Sequence, residues 1–456
     1  MGRIALIVLI LGTLLAGVRE AAAVPPFATQ TGQPCTACHI GGFGPQLTPF
    51  GRAFKIGGYT QTGGDGWESH FPLALMLLPS FNNTGQNLPD PPGVRAGTNK
   101  TNNNFLVDQV SLFLAGRVTD YLGGFVQTTY SGATGGFSLD NTDIRLTHAF
   151  DIGNTTLRLG MSLNNGPTVQ DPFNSSFVWM FPFASSAIAP TPAAQPVLAG
   201  GLVGNSVGTT AYAWYDNSLY VEAGLYNTYG PSLLAYTGQS YGPGSTANPA
   251  PYVRLAYEWD WAGQSAQIGA TFLHSNINPA TGAFSVNGSL GRNDFTDFSV
   301  DGGYQFLGDR TYVGTAYVNY THENQNLKGA FNAGAAAQAG HALNLLTANA
   351  SFFYKDTYGL TVGFQNSWGT ADPLLYAPAP VTGSANGKPN STAFIIEADW
   401  IPFGKQGSLG SPWANLKLGL QYTIYTRFNG GTSNYDGFGR NASDNNTIYA
   451  YAWLIF

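Results

Sequence analysis

The chain has 456 residues, of which 43% are hydrophobic, 14% aromatic and only 10% charged, with a formal net charge of −6. Soluble domains carry about 25% charged residues, so an ordinary soluble domain is a poor fit, and the small negative balance gives no footing for nucleic acid. The 59 glycines and the many Tyr and Phe residues suit strands that meet lipid on one face.

Residues 1–23 read as a secretory signal: Arg3 is the charged start, Ile4 to Val18 the apolar run, and Ala21-Ala22-Ala23 the small-residue cleavage site. The mature chain then begins near Val24. No later stretch reaches the roughly 18 unbroken apolar residues of a membrane helix, which argues against a helical inner-membrane protein.

The two cysteines of the chain lie in Gln33-Pro34-Cys35-Thr36-Ala37-Cys38-His39. Cys-x-x-Cys-His is the attachment signature of a c-type haem. Two thiols add across the two vinyl groups of one porphyrin, and the next residue offers an imidazole to the iron. A thioredoxin-like pair would need a βαβ context, which is missing. A Cys₂His₂ zinc site would need a second histidine close by, and the next is His70. The expectation is one covalent haem c on Cys35 and Cys38, with His39 as the proximal iron ligand. Export fits this chemistry, because the attachment happens outside the cytoplasm.

Residues 24–71 then form a small haem module. Thr48-Pro49 reads as an N-cap followed by proline at the first helical position, and Gly57-Gly58 as the stop. Over Thr48–Ile56, Phe50 and Phe54 share a face and are expected to pack on the haem. Arg52 and Lys55 point elsewhere, toward haem propionates or a partner, or they are a solvated basic pair.

From residue 72 to 456 the pattern changes to period two. Leu157, Leu159, Met161 and Leu163 alternate with Arg158, Gly160, Ser162 and Asn164. Leu219, Val221, Ala223 and Leu225 do the same, as do Leu416, Leu418, Leu420, Tyr422 and Ile424. Each run has one face for lipid and one for a wet lumen. Tight turns fall at 119–122, 151–155, 216–217, 261–264, 307–309 and 355–358, with a longer one near 403–412. Between them lie long polar loops at 165–205, 228–251, 275–293, 323–340, 369–390 and 429–445. Short turns at one end and long loops at the other mark a transmembrane antiparallel β-barrel of the outer membrane. The count is about sixteen strands, an even number that puts both barrel ends on the periplasmic side. Ile448, Ala450, Ala452, Leu454 and Phe456 alternate up to a terminal aromatic, as the last strand of such barrels does. The expected fold is thus all-β, with a small N-terminal haem plug containing a short helix.

A Cys-x-x-Cys-His module ahead of a barrel resembles the fused monohaem cytochrome–porins of iron-oxidising bacteria. The matching stretches are Phe27 to Gly32, Cys35 to His39, Leu47 to Tyr59, and Asn164-Asn165-Gly166-Pro167 followed by Asp171-Pro172. Two departures lie close to the haem. Thr29 stands where arginine is common, and the spacer Ile40–Gln46 is longer and richer in glycine. The resemblance implies an oxidoreductase of the cell outer membrane. An extracellular donor, typically Fe(II), reduces the haem, which hands the electron to a periplasmic cytochrome c or copper protein. A substrate porin with a structural haem and an outward-directed extracellular reductase are the alternatives.

The distal iron ligand is sought by parity. Met161 and His148 fall on the lipid side of their strands, and Met180 lies in a long loop, expected on the far side. His274, His322 and His341 sit near strand ends on the long-loop side, where they could help capture a metal ion or be solvated rim residues. On the first strand Leu73, Leu75 and Leu77 face lipid, whereas Ala74, Met76 and Ser80 face inward. Met76 is the first candidate, His70 the alternative, and a thioether ligand raises haem potential. Trp261, Trp368, Trp413 and Trp453 are read as interfacial girdle.

Overall fold

The computed structural model describes residues 25–63, 72–89, 100–411 and 413–456. The expected signal segment 1–23 and the candidate ligand His70 lie outside the described residues.

The strands form one antiparallel sheet closed on itself. Sixteen strands build the wall. In chain order they are β1 (Leu73–Thr84), β2 (Asn104–Arg117), β3 (Leu122–Ser131), β4 (Gly136–Ile152), β5 (Thr155–Asn164), β6 (Ser206–Tyr215), β7 (Leu219–Thr228) and β8 (Ala250–Trp261). They continue as β9 (Gln264–Gly282), β10 (Asn293–Phe306), β11 (Tyr312–Asn326), β12 (Gly340–Tyr354), β13 (Tyr358–Gly369), β14 (Ser391–Trp400), β15 (Asn415–Arg427) and β16 (Thr447–Ile455). Two short pieces, Gly244–Thr246 and Ser285–Val286, pair along the upper part of β9. Strand β1 closes the ring: Met76 lies opposite Ser111 of β2 on one side and Ile455 of β16 on the other. A closed sheet leaves no unpaired edge, which is the condition for strands in lipid.

The period-two pattern explains the wall. Leu159, Met161 and Leu163 are exposed on the outside, while Ser162 and Asn164 are buried inside. Leu418, Leu420 and Tyr422 are likewise exposed, and Lys417 and Gln421 buried. In water each such leucine would forgo roughly 1.5–3 kcal/mol of burial. Repeated on strand after strand, that cost is relieved only by hydrocarbon, so the chain is an outer-membrane barrel. Trp261 and Trp413 are on the exposed surface and Trp368 stacks on Tyr320, as girdle residues do. Trp453 is a correction. It shares the inward parity of the buried Tyr449 and Tyr451, and its ring meets Phe43 of the N-terminal module at 5.1 Å.

The tight turns all fall at one end, with residues 401–414 as the longest connection there. The long-loop end has one short link, residues 132–135. Strands β9 and β11 also run further toward that end than the loops 275–293 and 323–340 allow for.

The largest difference from the sequence reading is the loop 165–205. It folds into the lumen instead of standing outside. Val169, Phe173, Leu198 and Leu202 are buried. Its backbone is fixed by wall groups from distant strands: Asn319 of β11 donates to the Ser175 carbonyl at 3.0 Å, and Gln421 of β15 to the Ala184 carbonyl at 3.0 Å. The Val197 and Leu198 N–H groups donate to Glu323 and Asp297 at 2.6 and 3.2 Å. Apolar side chains that would be wet outside the barrel are covered within it, and buried carboxylates find donors in return.

Candidate functional site

The N-terminal module sits inside the lumen at the short-turn end. Its described residues contain three α-helices, α1 (Pro26–Thr31), α2 (Cys35–Cys38) and α3 (Pro49–Ile56). Helix α2 is a single turn, closed by the His39 N–H donating to the Cys35 carbonyl at 2.8 Å. Residues three apart share a helix face, so both thiols project from one side of that turn. Neither is in a disulfide. Burial, with Cys35 beside it, pushes the Cys38 thiol up to about 12, and burial raises Cys35 as well.

His39 follows directly. Burial lowers its imidazole to about 4, against the pull of the Gly44 and Gln46 backbone. Its Nδ1 is buried without a hydrogen-bond partner. A neutral ring with a nitrogen unused by the protein, next to two free thiols on one turn, fits a covalently attached haem and its proximal ligand.

Helix α3 is stapled to this turn. Thr48 caps it, accepting from the Gly51 N–H at 3.1 Å, and the same hydroxyl donates to the Ala37 carbonyl at 2.5 Å. The Thr48 N–H donates to the Cys38 carbonyl at 2.9 Å. A Cβ at Gly51 would strike that carbonyl, which is why glycine stands there.

The barrel rim holds the motif from outside. The Thr36 N–H donates to the Gly404 carbonyl at 3.1 Å, and Arg310 Nη2 to the Thr36 carbonyl at 2.6 Å. Asn415 Nδ2 donates to the Gly42 carbonyl at 2.6 Å, and the same side chain meets the Cys35 thiol. Ile40 and Phe43 pack with Val313, Phe353 and Ile401. Arg310 and Gly404 carried no signal in the sequence, because turn residues have no parity to read, and the parity of Asn415 gives its face but not its partner.

Phe54 is buried, with Phe27 at 5.0 Å and Tyr59 at 5.7 Å between ring centroids, and Phe50 is half-buried on the same face. Arg52 corrects the propionate assignment. Its Nε and Nη2 pair with Glu258, Nη2 also donates to Ser265 Oγ at 2.8 Å, and Nη1 donates to the Leu47 carbonyl at 2.9 Å and to Gln305 at 3.2 Å. It is committed to the wall because a fully buried guanidinium needs a carboxylate, and Glu258 on β8 supplies it. Lys55 is committed too: Nζ donates to the Val169 and Asp171 carbonyls at 2.8 and 3.1 Å and lies 5.2 Å from the Trp179 ring. Burial lowers its ammonium to about 8, with Asp143 pulling the other way. Module and inserted loop are therefore clamped together.

Met76 is buried and faces inward with Ala74, Leu78 and Ser80. Asn415 lies opposite Ile455, and Ile455 opposite Met76. Met76 is thus two strand spacings, about 4.8 Å each, around the wall from the residue that touches Cys35. Met161 is exposed on the outer face, and His148 sits there between Tyr121 and Phe150. Met180 is not on the far side: it is buried within the inserted loop. The rim histidines do not converge. His274 bonds Thr296, His322 bonds Asn344, and the inward His341 pairs with Asp372 at 2.9 Å. Among the described residues no group of three or more His, Cys, Asp or Glu side chains is set to hold a metal ion.

No family model and no curated protein matches the sequence. Among solved structures, DcaP, an outer membrane channel of Acinetobacter baumannii, aligns at 12% identity and a TM-score of 0.44, covering 84% of this chain and 96% of that one. An anion-selective porin from Comamonas acidovorans aligns at 11% identity and 0.43, covering 84% and 98%. OmpT of Vibrio cholerae, in its trimer form, aligns at 10% identity and 0.43, covering 84% and 98%. The closure of the sheet, and not these alignments, makes this chain a barrel.

Proposed function

We propose that the chain is an outer-membrane electron conduit of the fused cytochrome–porin kind. The observation that carries this reading is the Cys35–His39 turn, with two free thiols and a buried imidazole, seated at the periplasmic mouth of a membrane barrel. The haem, when bound, supplies one-electron chemistry between an extracellular donor, Fe(II) by this reading, and a periplasmic cytochrome or copper protein. Cys35 and Cys38 would anchor it covalently, and His39 and Met76 would hold its iron. Arg310, Asn415 and Gly404 orient the turn toward the periplasmic side. The inserted loop 165–205 and the module fill the lumen, which limits solvent and solutes.

Mass spectrometry of the purified protein should find one iron porphyrin on the peptide containing Cys35 and Cys38. Visible spectra should show prompt reduction on mixing with Fe(II). An oxidised haem that answers only to dithionite removes iron as the donor. Replacing Met76 by Ala should abolish a methionine-to-iron charge-transfer band, and Met180→Ala should leave it; the reverse result transfers the assignment to Met180. The closed barrel also fits a substrate porin. Liposome swelling separates the two, since rapid solute entry through the haem-loaded protein favours the porin.

A further inference from the structure

One buried ionic cluster stands in the lumen wall, and its neighbour Gln421 also holds the inserted loop at the Ala184 carbonyl. Lys417 Nζ lies 2.9 Å from Glu397 Oε1 and 3.1 Å from Asp399 Oδ1, with all three side chains almost wholly buried. Gln421 Nε2 donates to Glu397 Oε2 at 2.7 Å. The ammonium is flanked by the Phe183 ring at 5.7 Å and the Tyr451 ring at 5.9 Å. Neither oxygen of Asp399 accepts a well-aligned hydrogen bond. One cation therefore faces two carboxylates, one of them incompletely satisfied, in an aromatic box with little water.

Its position in the register is what matters. Lys417 is two residues along β15 from Asn415 and on the same face, about 7 Å away along the strand. Asn415 touches Cys35, and its level of the wall continues through Ile455 to Met76. Lys417 lies opposite Trp453, whose ring packs on Phe43 of the module. The cluster thus stands one step above the thiol and the sulfur that bracket the haem site. A wall built only for stability gains little from such a group, since a buried ion pair is at best near break-even against apolar packing.

We infer that Lys417, with Glu397 and Asp399, sets the reduction potential of the haem carried by Cys35 and Cys38, acting as fixed buried charge and not as a ligand; this rests on the haem reading above. In a low-dielectric interior, nearby charge shifts the balance between the oxidised and reduced forms. A cation favours the reduced form and a carboxylate the oxidised one. The cluster is a positioning element of the electrostatics and touches no donor.

The test is spectroelectrochemical titration of the detergent-solubilised holoprotein. Lys417→Met should lower the midpoint potential, and Glu397→Gln should raise it, with the haem absorption bands unchanged in both. Opposite signs are the signature of charge, because loosened packing would move both variants the same way. If Lys417→Met does not yield a folded barrel, Asp399→Asn replaces it in the pair with Lys417→Arg; the first should raise the potential and the second leave it in place. In the first pair, unshifted potentials or shifts of one sign overturn the inference; in the second, an unmoved Asp399→Asn or a moved Lys417→Arg does so; each leaves the haem reading intact. An unsubstituted chain with no covalent porphyrin overturns both.

Discussion

Two segments fill this barrel, and they are held in different ways. The module 25–63 enters from the short-turn end and is fixed by rim turns and by the Arg52–Glu258 pair. The loop 165–205 is a connection between β5 and β6 that turns inward and is fixed by backbone groups bonded to lumen side chains. The first segment advertises itself by a motif with fixed chemistry. The second has no motif. Its course depends on buried acceptors and donors scattered over strands far away in sequence. The two meet at Lys55, whose ammonium is held by carbonyls of the loop.

Removing both segments, residues 25–63 and 170–200, should give the largest change: a wide conducting channel in planar bilayers, as an open barrel of this strand number allows. Removing the loop alone should give a much smaller conductance, because the module still stoppers the periplasmic mouth. A full-sized conductance from the loop deletion would show that the module seals nothing.

Breaking the module's anchor comes next. Arg52→Met leaves Glu258 buried and unpaired, which costs about 3–5 kcal/mol. Protease cleavage within residues 25–63 should rise sharply, while the barrel keeps its heat-resistant mobility on gels. An unchanged cleavage rate would mean that the rim contacts suffice.

Gly51→Ala should displace α3 from the Cys38 carbonyl, at a cost of roughly 1–3 kcal/mol. The expected readout is reduced haem content with normal amounts of inserted barrel. Full haem content would show that α3 and the motif tolerate separation.

The smallest effect concerns pH. Lys55 has its pKa lowered from 10.5 to about 8 by burial. Between those values the unfolded chain binds more protons than the folded one, so stability rises with pH across that window. Resistance of the module to urea-assisted proteolysis should therefore increase from pH 8 toward pH 10, and Lys55→Met should flatten the trend. A wild-type profile that falls over this range would mean that Lys55 is not the group responsible.

The sequence carried the barrel because alternation is local: a residue's neighbours two positions away reveal its face. It carried the Cys35–His39 turn for a similar reason, since the two cysteines and the histidine of that motif lie within five residues. Parity also placed Met76 on the inner face and Met161 and His148 on the outer one. It gave no warning about Arg52, because a basic residue on a short helix looks the same whether it meets water, a propionate or Glu258.

What local pattern determined by itself was the face of each strand and the spacing of the Cys35–His39 turn. Only the tertiary structure decided that the loop 165–205 turns inward, that Trp453 meets Phe43, and that Lys417 stands two residues along its strand from the Asn415 that meets Cys35. Those are pairings between residues far apart in the chain. They form because a closed wall brings distant strands to one height, and a buried charge must then find its partner there.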